Sequence, residues 1–204
     1  MNKRCVVIVM AKAPVPGYAK TRLIPALGAA RAARVAQQLL QRAVAAALQA
    51  ALGPVDLCCA PDQDHPLLQP YCGQPGLVLS DQGEGDLGER MSRAFERWWP
   101  EVERILMTGT DAPSLDAQVL RRAAQSLNDA DAVFVPAVDG GYALIGLRRP
   151  APSLFTGVAW STAQVMSTTR QHLAAAGLQC VELDTVPDID EPADLVHLPP
   201  GWLD

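Results

Sequence analysis

Residues 5–23 are CVVIVMAKAPVPGYAKTRL. The first six form an unbroken apolar, mostly β-branched run, which is typical of a strand buried on both faces of a parallel sheet. The rest is a loop with two prolines, one glycine and three cations, and a helical pattern follows it. A buried strand that leads through such a loop into a helix predicts an α/β domain whose first loop binds phosphate.

Strand-like and helix-like segments alternate through the rest of the chain. Gly53 and Pro54 end an amphipathic pattern over residues 29–52, in the order typical of helix C-termini. The alternation predicts βαβ units, a mostly parallel sheet and one domain over residues 1–204. The further predicted strands are 55–60, 77–80, 104–107, 132–136, 142–147 and 178–183, and the further helices are 87–98, 116–128, 161–176 and 190–196, with Asp116 and Ser161 as N-caps.

The composition limits the classes of protein to which this 204-residue chain can belong. Hydrophobic residues make up 49% of it, enough for a core, and its formal net charge of −5 argues against a nucleic-acid partner. The five cysteines form no CxxC pair, so we expect free thiols. No apolar stretch approaches the ~20 residues of a membrane span. We therefore expect no membrane span and a cytoplasmic location.

The loop after the first strand is rich in cations but is not a P-loop. That motif has glycine where Pro14 and Ala19 stand relative to Lys20. Lysine can contact phosphate as a point charge and arginine as a fork. A solvated basic turn is the alternative. The clustering of cations favours nucleotide binding by loop residues, namely Ala11, Lys12, Gly17, Lys20 and Arg22.

A GxGxxG pattern at residues 83–88 lies between a predicted strand and a predicted helix. Glu84 and Asp86 would place carboxylates where a dinucleotide's pyrophosphate lies, which argues against a dinucleotide-dependent oxidoreductase. The loop can still hold a base or ribose through its backbone, and the following arginine can reach a phosphate. The predicted nucleotide-binding residues of this segment are Gly85, Asp86, Gly88 and Arg90.

Three carboxylates follow predicted strands and are candidate metal ligands. Asp111 comes directly after the strand at 104–107, and Asp188 and Asp190 follow the last strand. Carboxylate oxygens suit Mg²⁺ or Mn²⁺. As alternatives, Asp111 can be an ordinary turn residue and Asp190 can cap the closing helix.

Two further segments are candidates for binding an acceptor. Asp139-Gly140-Gly141 separates two predicted strands, the second of which begins at Tyr142, and an ordinary hairpin turn is the alternative. Trp160-Ser161-Thr162 precedes a predicted helix, whose N-terminus can bind an anion. No GxSxG or HExxH motif is present, so the residues needed for hydrolase or metalloprotease chemistry are missing. The predicted acceptor-binding residues are Gly140, Gly141, Tyr142, Trp160, Ser161 and Thr162.

Five blocks in this order carry a resemblance to a known family: AKAPVPGYAKTRL, GDLGERM, GTDAPSL, DGGYALIGL and DIDEPADL. They resemble the bacterial glycosyltransferase-like family also called selenium-domain-associated transferases, of the glycosyltransferase-A or nucleotide-diphospho-sugar transferase superfamily. The chain is more distantly similar to 2-phospholactate guanylyltransferase and molybdenum cofactor guanylyltransferase.

The resemblance implies a Rossmann-like glycosyltransferase-A fold. In that fold a mixed, mostly parallel sheet of about seven strands, one of them antiparallel, carries helices on both faces. The resemblance also implies that the first loop wraps the nucleotide phosphates. Asp111 then corresponds to the superfamily's metal-binding aspartate, and Asp190 or Asp188 is the second ligand.

One function is favoured and two alternatives stay open. We predict a transferase that uses a nucleotide-activated donor, Mg²⁺ or Mn²⁺ and an unidentified small acceptor, with glycosyl transfer from a nucleotide-diphospho-sugar favoured. Lys20 and Asp111 are predicted catalytic residues, and Asp139 is the candidate general base. Many glycosyltransferases of this fold have Asp-x-Asp where this chain has one carboxylate, so a nucleotidyltransferase acting on an NTP and a phosphorylated acceptor stays open. A non-catalytic nucleotide sensor is the alternative from another class, and the oligomeric state is left open.

Overall fold

The first strand lies inside the sheet, as its sequence predicts. Strand β1 (Cys5–Lys12) is buried along almost its whole length. Val7 and Val9 pack into one hydrophobic cluster, while Val6 and Ile8 pack into a second cluster on the opposite face. Both faces are therefore covered, which is the condition that an unalternating apolar strand requires.

The computed structural model describes residues 5–203, so the ends of the predicted domain, residues 1–4 and 204, lie outside it. In the described range the sheet has seven strands. After β1 they are β2 (Val55–Ala60), β3 (Leu77–Asp81), β4 (Arg104–Thr108), β5 (Ala132–Pro136), β6 (Tyr142–Leu147) and β7 (Cys180–Glu182).

The strands lie in the order β3-β2-β1-β4-β6-β5-β7. Strand β6 runs antiparallel to both of its neighbours, β4 and β5, and the other neighbouring pairs are parallel. This confirms the predicted mostly parallel mixed sheet with one antiparallel strand.

Helices cover both faces of the sheet. Within residues 5–203 the α-helices are α1 (Ile24–Leu27), α2 (Ala29–Ala50), α3 (Leu87–Glu96), α4 (Ala117–Ser126) and α5 (Val165–Ala175). Leu40 of α2 and Leu120 of α4 pack into the same cluster as Val7. Met91 of α3 and Met166 of α5 pack into the cluster on the other face. No helix in residues 5–203 is long and apolar enough to cross a membrane.

Two of the predicted helix starts have different outcomes. Asp116 caps α4, because its side chain accepts hydrogen bonds from the backbone N–H groups of Gln118 and Val119. The prediction that Ser161 caps a helix over 161–176 is wrong. Ser161 has a left-handed φ of 62°, and α5 begins only at Val165.

The closing helix is present, with its bounds shifted from the predicted ones. The sequence predicts a short closing helix over residues 190–196, and the structure has a 3-10 helix at Pro192–His197. Glu191 is its N-cap, in a reciprocal capping arrangement with Asp194. The side chain of Asp190 is therefore not used as the cap and is available for other contacts.

The topology brings several chain segments to one edge of the sheet. Parallel strands β1 and β4 end there, and antiparallel β6 begins there, with Leu144 opposite Thr108. The backbone N–H of Ile189 donates to the carbonyl of Asp111 at 2.9 Å, which fixes the segment after β7 to the loop after β4. Ligands of open α/β sheets bind at this edge.

Candidate active site

A cleft of about 520 Å³ opens at this edge of the sheet. It is lined by the loops that follow β1, β3 and β4, by the start of β6, and by the segments around Trp160 and Asp188. Within residues 5–203, the charged residues that line the cleft are Lys12, Lys20, Arg22, Asp111, Asp139, Asp188 and Asp190.

Lys20 lies at the centre of this charged lining. Its Nζ is 2.7 Å from Oδ1 of Asp111 and 3.1 Å from Oδ1 of Asp190. Nη1 of Arg22 is 3.0 Å from Oδ2 of Asp190. Only 7% of the Lys20 side chain is exposed, against 46% for Asp111 and 42% for Asp190. The first loop thus holds a buried ammonium between two carboxylates from other parts of the chain.

The local backbone explains why Lys20 points inward. The N–H groups of Tyr18 and Ala19 both donate to the carbonyl of Val15 at 3.0 Å, which forms a tight turn. Lys20 follows it with a left-handed φ of 49°, a conformation that costs a non-glycine residue energy and often occurs at functional sites. Leu23 is fully buried in a cluster with Ile189 and so anchors the end of the loop.

The charge state of Lys20 follows from its neighbours. Burial alone would lower the pKa of the Lys20 ammonium, but the Asp111 and Asp190 carboxylates outweigh burial and raise the pKa above its usual value. Lys20 is therefore protonated at neutral pH and neutralises part of the charge of both carboxylates.

A second pair of carboxylates lies in the cleft without such a partner. Burial, together with the negative charge of Asp139, raises the pKa of the Asp188 carboxyl to about 6. Oδ1 of Asp139 accepts a hydrogen bond from the N–H of Gly141 at 2.8 Å, which fixes Asp139 at the turn before β6. Among the described residues, no lysine, arginine or histidine forms an ion pair with Asp139 or Asp188.

The carboxylates fit a divalent cation that is held partly by a substrate. Asp111 and Asp190 already share one positive partner, the Lys20 ammonium. Within residues 5–203, no three Asp, Glu, His or Cys side chains are close enough to ligate one ion by themselves. Mg²⁺ in nucleotide sites commonly takes one or two protein carboxylates and completes its shell with phosphate oxygens and water. The donor set therefore fits a cation that arrives with phosphate.

The four predicted nucleotide-binding residues in and just after the GxGxxG pattern lie outside the cleft lining and have structural contacts instead. Asp86 caps α3 reciprocally with Glu89, and Nε of Arg90 donates to the carbonyl of Gly85 at 2.9 Å. A Cβ on Gly88 would lie 2.5 Å from the carbonyl oxygen of Phe155, so glycine permits a close approach there. Nucleotide binding by Gly85, Asp86, Gly88 and Arg90 stays a prediction, and this geometry does not require it.

Gly17 and Gly140 also lie outside the lining. Gly17 has a φ of 81° in the first loop, a conformation that favours glycine. Gly140 packs directly against the backbone of Ala163, and its carbonyl accepts a hydrogen bond from the N–H of Met166. Gly140 therefore ties the turn before β6 to the start of α5, which positions the wall of the cleft.

The predicted acceptor residues contribute two aromatic rings and two exposed hydroxyls to the cleft. Tyr142 and Trp160 meet edge to face with ring centroids 6.5 Å apart. The Tyr142 hydroxyl is buried without a hydrogen-bond partner, although part of the residue is accessible from the cleft. The exposed Ser161 and Thr162 also line the cleft. The predicted acceptor residues other than Gly140 therefore lie together.

Gln82 and Tyr18 are among the lining residues that the sequence does not single out. The buried Gln82 uses its Nε2 to donate to the carbonyls of Ala11 and Cys58, both at 3.0 Å. The exposed ring of Tyr18 lies under Nζ of Lys12, 3.9 Å from it. The position of Gln82 directly after β3 was a usable signal, whereas the contact between Tyr18 and Lys12 depends on the fold of the loop.

The chain matches a known protein family. Residues 27–162 match a family described as "Uncharacterized protein conserved in bacteria (DUF2064)". The chain belongs to this family. The part that matches the DUF2064 family contains Asp111, Asp139 and Trp160, whereas Lys20 and Asp190 lie outside it.

Two relatives at 30% identity carry names that state an activity. The first is 2-phospho-L-lactate guanylyltransferase of Methanothermobacter thermautotrophicus, with 30% identity over 139 residues. The match covers 67% of this DUF2064 chain but only 60% of that enzyme. The second is the crystal structure of a candidate nucleotide-diphospho-sugar transferase from Desulfovibrio desulfuricans G20, with 30% identity and a TM-score of 0.85. That match covers 94% of this chain and 84% of the other.

A third structure shares the fold alone. Rv0371C of Mycobacterium tuberculosis H37Rv, solved in complex with manganese, has 15% identity and a TM-score of 0.60. The match covers 96% of this chain and 97% of that one. The two relatives at 30% identity confirm the resemblance and the transferase class that the sequence of this DUF2064 member predicts, and the solved structures confirm the fold.

Proposed function

We propose that this protein is a metal-dependent glycosyltransferase that moves a sugar from a nucleotide-diphospho-sugar to a hydroxyl of a small, unphosphorylated acceptor. The observation that carries this proposal is the separation of charge across the cleft. Among the described lining residues, every cation, namely Lys12, Lys20 and Arg22, comes from the first loop. The ion pairs of these cations go to Asp111 and Asp190, whereas the other two carboxylates of the described lining, Asp139 and Asp188, have no cationic partner.

This separation favours one of the two candidate reactions. Transfer from a nucleotide-diphospho-sugar requires one cationic subsite, for the diphosphate that leaves. Transfer of a nucleotidyl group to a phosphorylated acceptor requires a second cationic subsite for the acceptor phosphate. A phosphate near Asp139 and Asp188 would meet two carboxylates without cationic partners, and like charges at short range repel. A neutral hydroxyl can instead donate a hydrogen bond to either carboxylate.

The first loop would bind the donor. Lys20 and Arg22 can turn from Asp190 to the donor phosphates, where charge-assisted hydrogen bonds stabilise the diphosphate as it accumulates charge. Asp111 and Asp190 would hold a divalent cation together with those phosphates. Such a cation stabilises negative charge on the leaving diphosphate.

The opposite wall would orient the acceptor and take its proton. Asp139 is held at its turn by the N–H of Gly141, so its second oxygen can accept a hydrogen bond from the acceptor hydroxyl. The rings of Tyr142 and Trp160 border this position. We assign Asp139 the role of general base, and Asp188 the role of an additional carboxylate near the metal and the acceptor.

A nucleotidyltransferase is the second candidate. One carboxylate, Asp111, follows β4 where many glycosyltransferases have two, and the curated relative at 30% identity is a guanylyltransferase.

The proposal also includes a cytoplasmic location, which the five unpaired cysteines favour.

A product assay separates the candidates. The protein is incubated with Mn²⁺ or Mg²⁺ and either a panel of nucleotide-diphospho-sugars or a panel of NTPs, each with a mixture of polyols, sugars and sugar phosphates. We expect release of a nucleoside diphosphate from one nucleotide-sugar and no pyrophosphate from NTPs. Pyrophosphate release that depends on a sugar phosphate would overturn glycosyl transfer and support the second candidate. Nucleotide binding without turnover in every mixture would support a sensor.

A further inference from the structure

The Lys20 ammonium lies between the two carboxylates that would hold the metal. It contacts Oδ1 of Asp111 at 2.7 Å and Oδ1 of Asp190 at 3.1 Å. A divalent cation shared by these two oxygens would lie in the same space and carry charge of the same sign. The ammonium and the metal therefore cannot both keep these contacts.

We infer that Lys20 excludes a free divalent cation from Asp111 and Asp190, so that the metal binds tightly only together with the phosphates of a nucleotide. This inference rests on the proposed function, because it assumes a donor that brings phosphate to the first loop. It assigns Lys20 a second role, that of a resident cation which the metal–nucleotide complex displaces.

Burial makes the displacement of Lys20 unfavourable unless it gains a new partner. Only 7% of the Lys20 side chain is exposed, and its ammonium is hydrogen-bonded to the carboxylates of Asp111 and Asp190. A buried ammonium that loses its partners leaves an uncompensated charge, which strongly destabilises the site. Binding of free metal would leave the Lys20 ammonium buried without an anionic partner, whereas binding of metal with a donor phosphate gives the ammonium a new anionic partner.

Arg22 does not face the same constraint. Its side chain is 57% exposed, so it can leave Oδ2 of Asp190 and return to water at little penalty. Lys12 contacts the ring of Tyr18 and none of the carboxylates. Of the three cations of the loop, Lys20 alone combines burial with contact to both proposed metal ligands.

The inference is tested by titrating the protein with Mn²⁺ alone and measuring free Mn²⁺ by electron paramagnetic resonance. We expect weak binding by the wild type and binding about tenfold tighter by Lys20→Met, because the substitution removes the competing charge. Lys12→Met is the matched control. It removes a cation from the same loop without freeing a carboxylate, so its affinity for Mn²⁺ is expected to stay within about twofold of the wild type. Circular dichroism and thermal unfolding establish that each variant is folded.

A second measurement needs only the wild type and keeps the inference testable if Lys20→Met fails to fold. Thermal unfolding is followed with Mn²⁺ alone, with each of UDP, GDP, CDP and ADP alone, and with both together. Ligands that bind the folded protein raise its Tm by mass action. We expect one diphosphate with Mn²⁺ to raise the Tm by more than the two separate shifts together.

The outcomes distinguish this inference from the proposed function. If wild type and Lys20→Met bind Mn²⁺ equally tightly without nucleotide, the exclusion is wrong and the metal-dependent transferase survives. If neither protein binds Mn²⁺ and no diphosphate with Mn²⁺ raises the Tm, both the inference and the proposed metal site are wrong.

Discussion

Replacing Gly88 by alanine tests whether this glycine serves the structure or the nucleotide. The added Cβ would lie 2.5 Å from the carbonyl oxygen of Phe155 and 2.7 Å from Nε1 of Trp160, where ordinary contacts are 3.4–4 Å. The Phe155 oxygen belongs to the backbone and cannot rotate away, so α3 and the segment before Trp160 must separate by roughly 1 Å. Overpacking of this kind costs about 1–3 kcal/mol, which for a chain of this size lowers the Tm by about 3–10 °C.

The assay is urea-induced unfolding of wild type, Gly88→Ala and a control, followed by tryptophan fluorescence. Gly109→Ala is the control, because the nearest atom to its added Cβ is 4.0 Å away, and we expect its free energy of unfolding to be nearly unchanged. Because Gly88 supports Trp160, we also expect Gly88→Ala to slow acceptor-dependent turnover more than it weakens nucleotide binding. Unchanged stability together with weaker nucleotide binding would refute this reasoning and assign Gly88 to the nucleotide site.

Further predictions concern two buried carboxylates away from the cleft. A hydrogen bond from the N–H of Gln179, with support from Arg148 and Arg149, lowers the pKa of the Asp131 carboxyl in the folded protein. The ionised carboxylate therefore stabilises the fold above the pKa that Asp131 has in the unfolded chain, and this stabilisation is lost as the pH falls below that value. Asp131→Asn should therefore flatten the decline of Tm between about pH 5 and pH 3, and a decline as steep as that of the wild type would contradict this. Asp56 is fully buried and accepts from Arg97 at 3.2 Å and from Trp98 at 2.7 Å. Asp56→Ala should cost about 3 kcal/mol in urea unfolding, and a loss under about 1 kcal/mol would contradict a stabilising role.

The sequence predicts the sheet and the charged centre of the site because both depend on local pattern and topology. The unalternating run of β1 requires cover on both faces, and the structure provides it. Lys20 and Asp190 are 170 residues apart, yet each follows a strand that ends at the same edge of the sheet. The positions of these residues after strands therefore indicate that they converge, but the ion pairs between them can be identified only in the folded structure.

The helix start predicted at Ser161 is wrong because of a contact between distant segments. Ser161 precedes a helical pattern, but Gly140 packs against Ala163 and accepts from Met166, so α5 begins later. Asp86 of the GxGxxG pattern pairs with Glu89 in a capping box, a short-range motif that the sequence itself displays, and nucleotide binding by this segment stays a prediction. The close contact of Gly88 with Phe155 joins segments 67 residues apart, and no local pattern shows it.

The central claim is that Asp111 helps to hold a metal against the phosphates of a nucleotide in the first loop. Calorimetric titration of the preferred nucleoside diphosphate, with and without Mn²⁺, tests this claim in wild type, Asp111→Asn and Asp116→Asn. Asp116 lies five residues away and only caps α4, a role that asparagine also fulfils. We expect Mn²⁺ to strengthen nucleotide binding by about tenfold or more in wild type and Asp116→Asn, and to lose this effect in Asp111→Asn. An undiminished effect of Mn²⁺ in Asp111→Asn would contradict the claim.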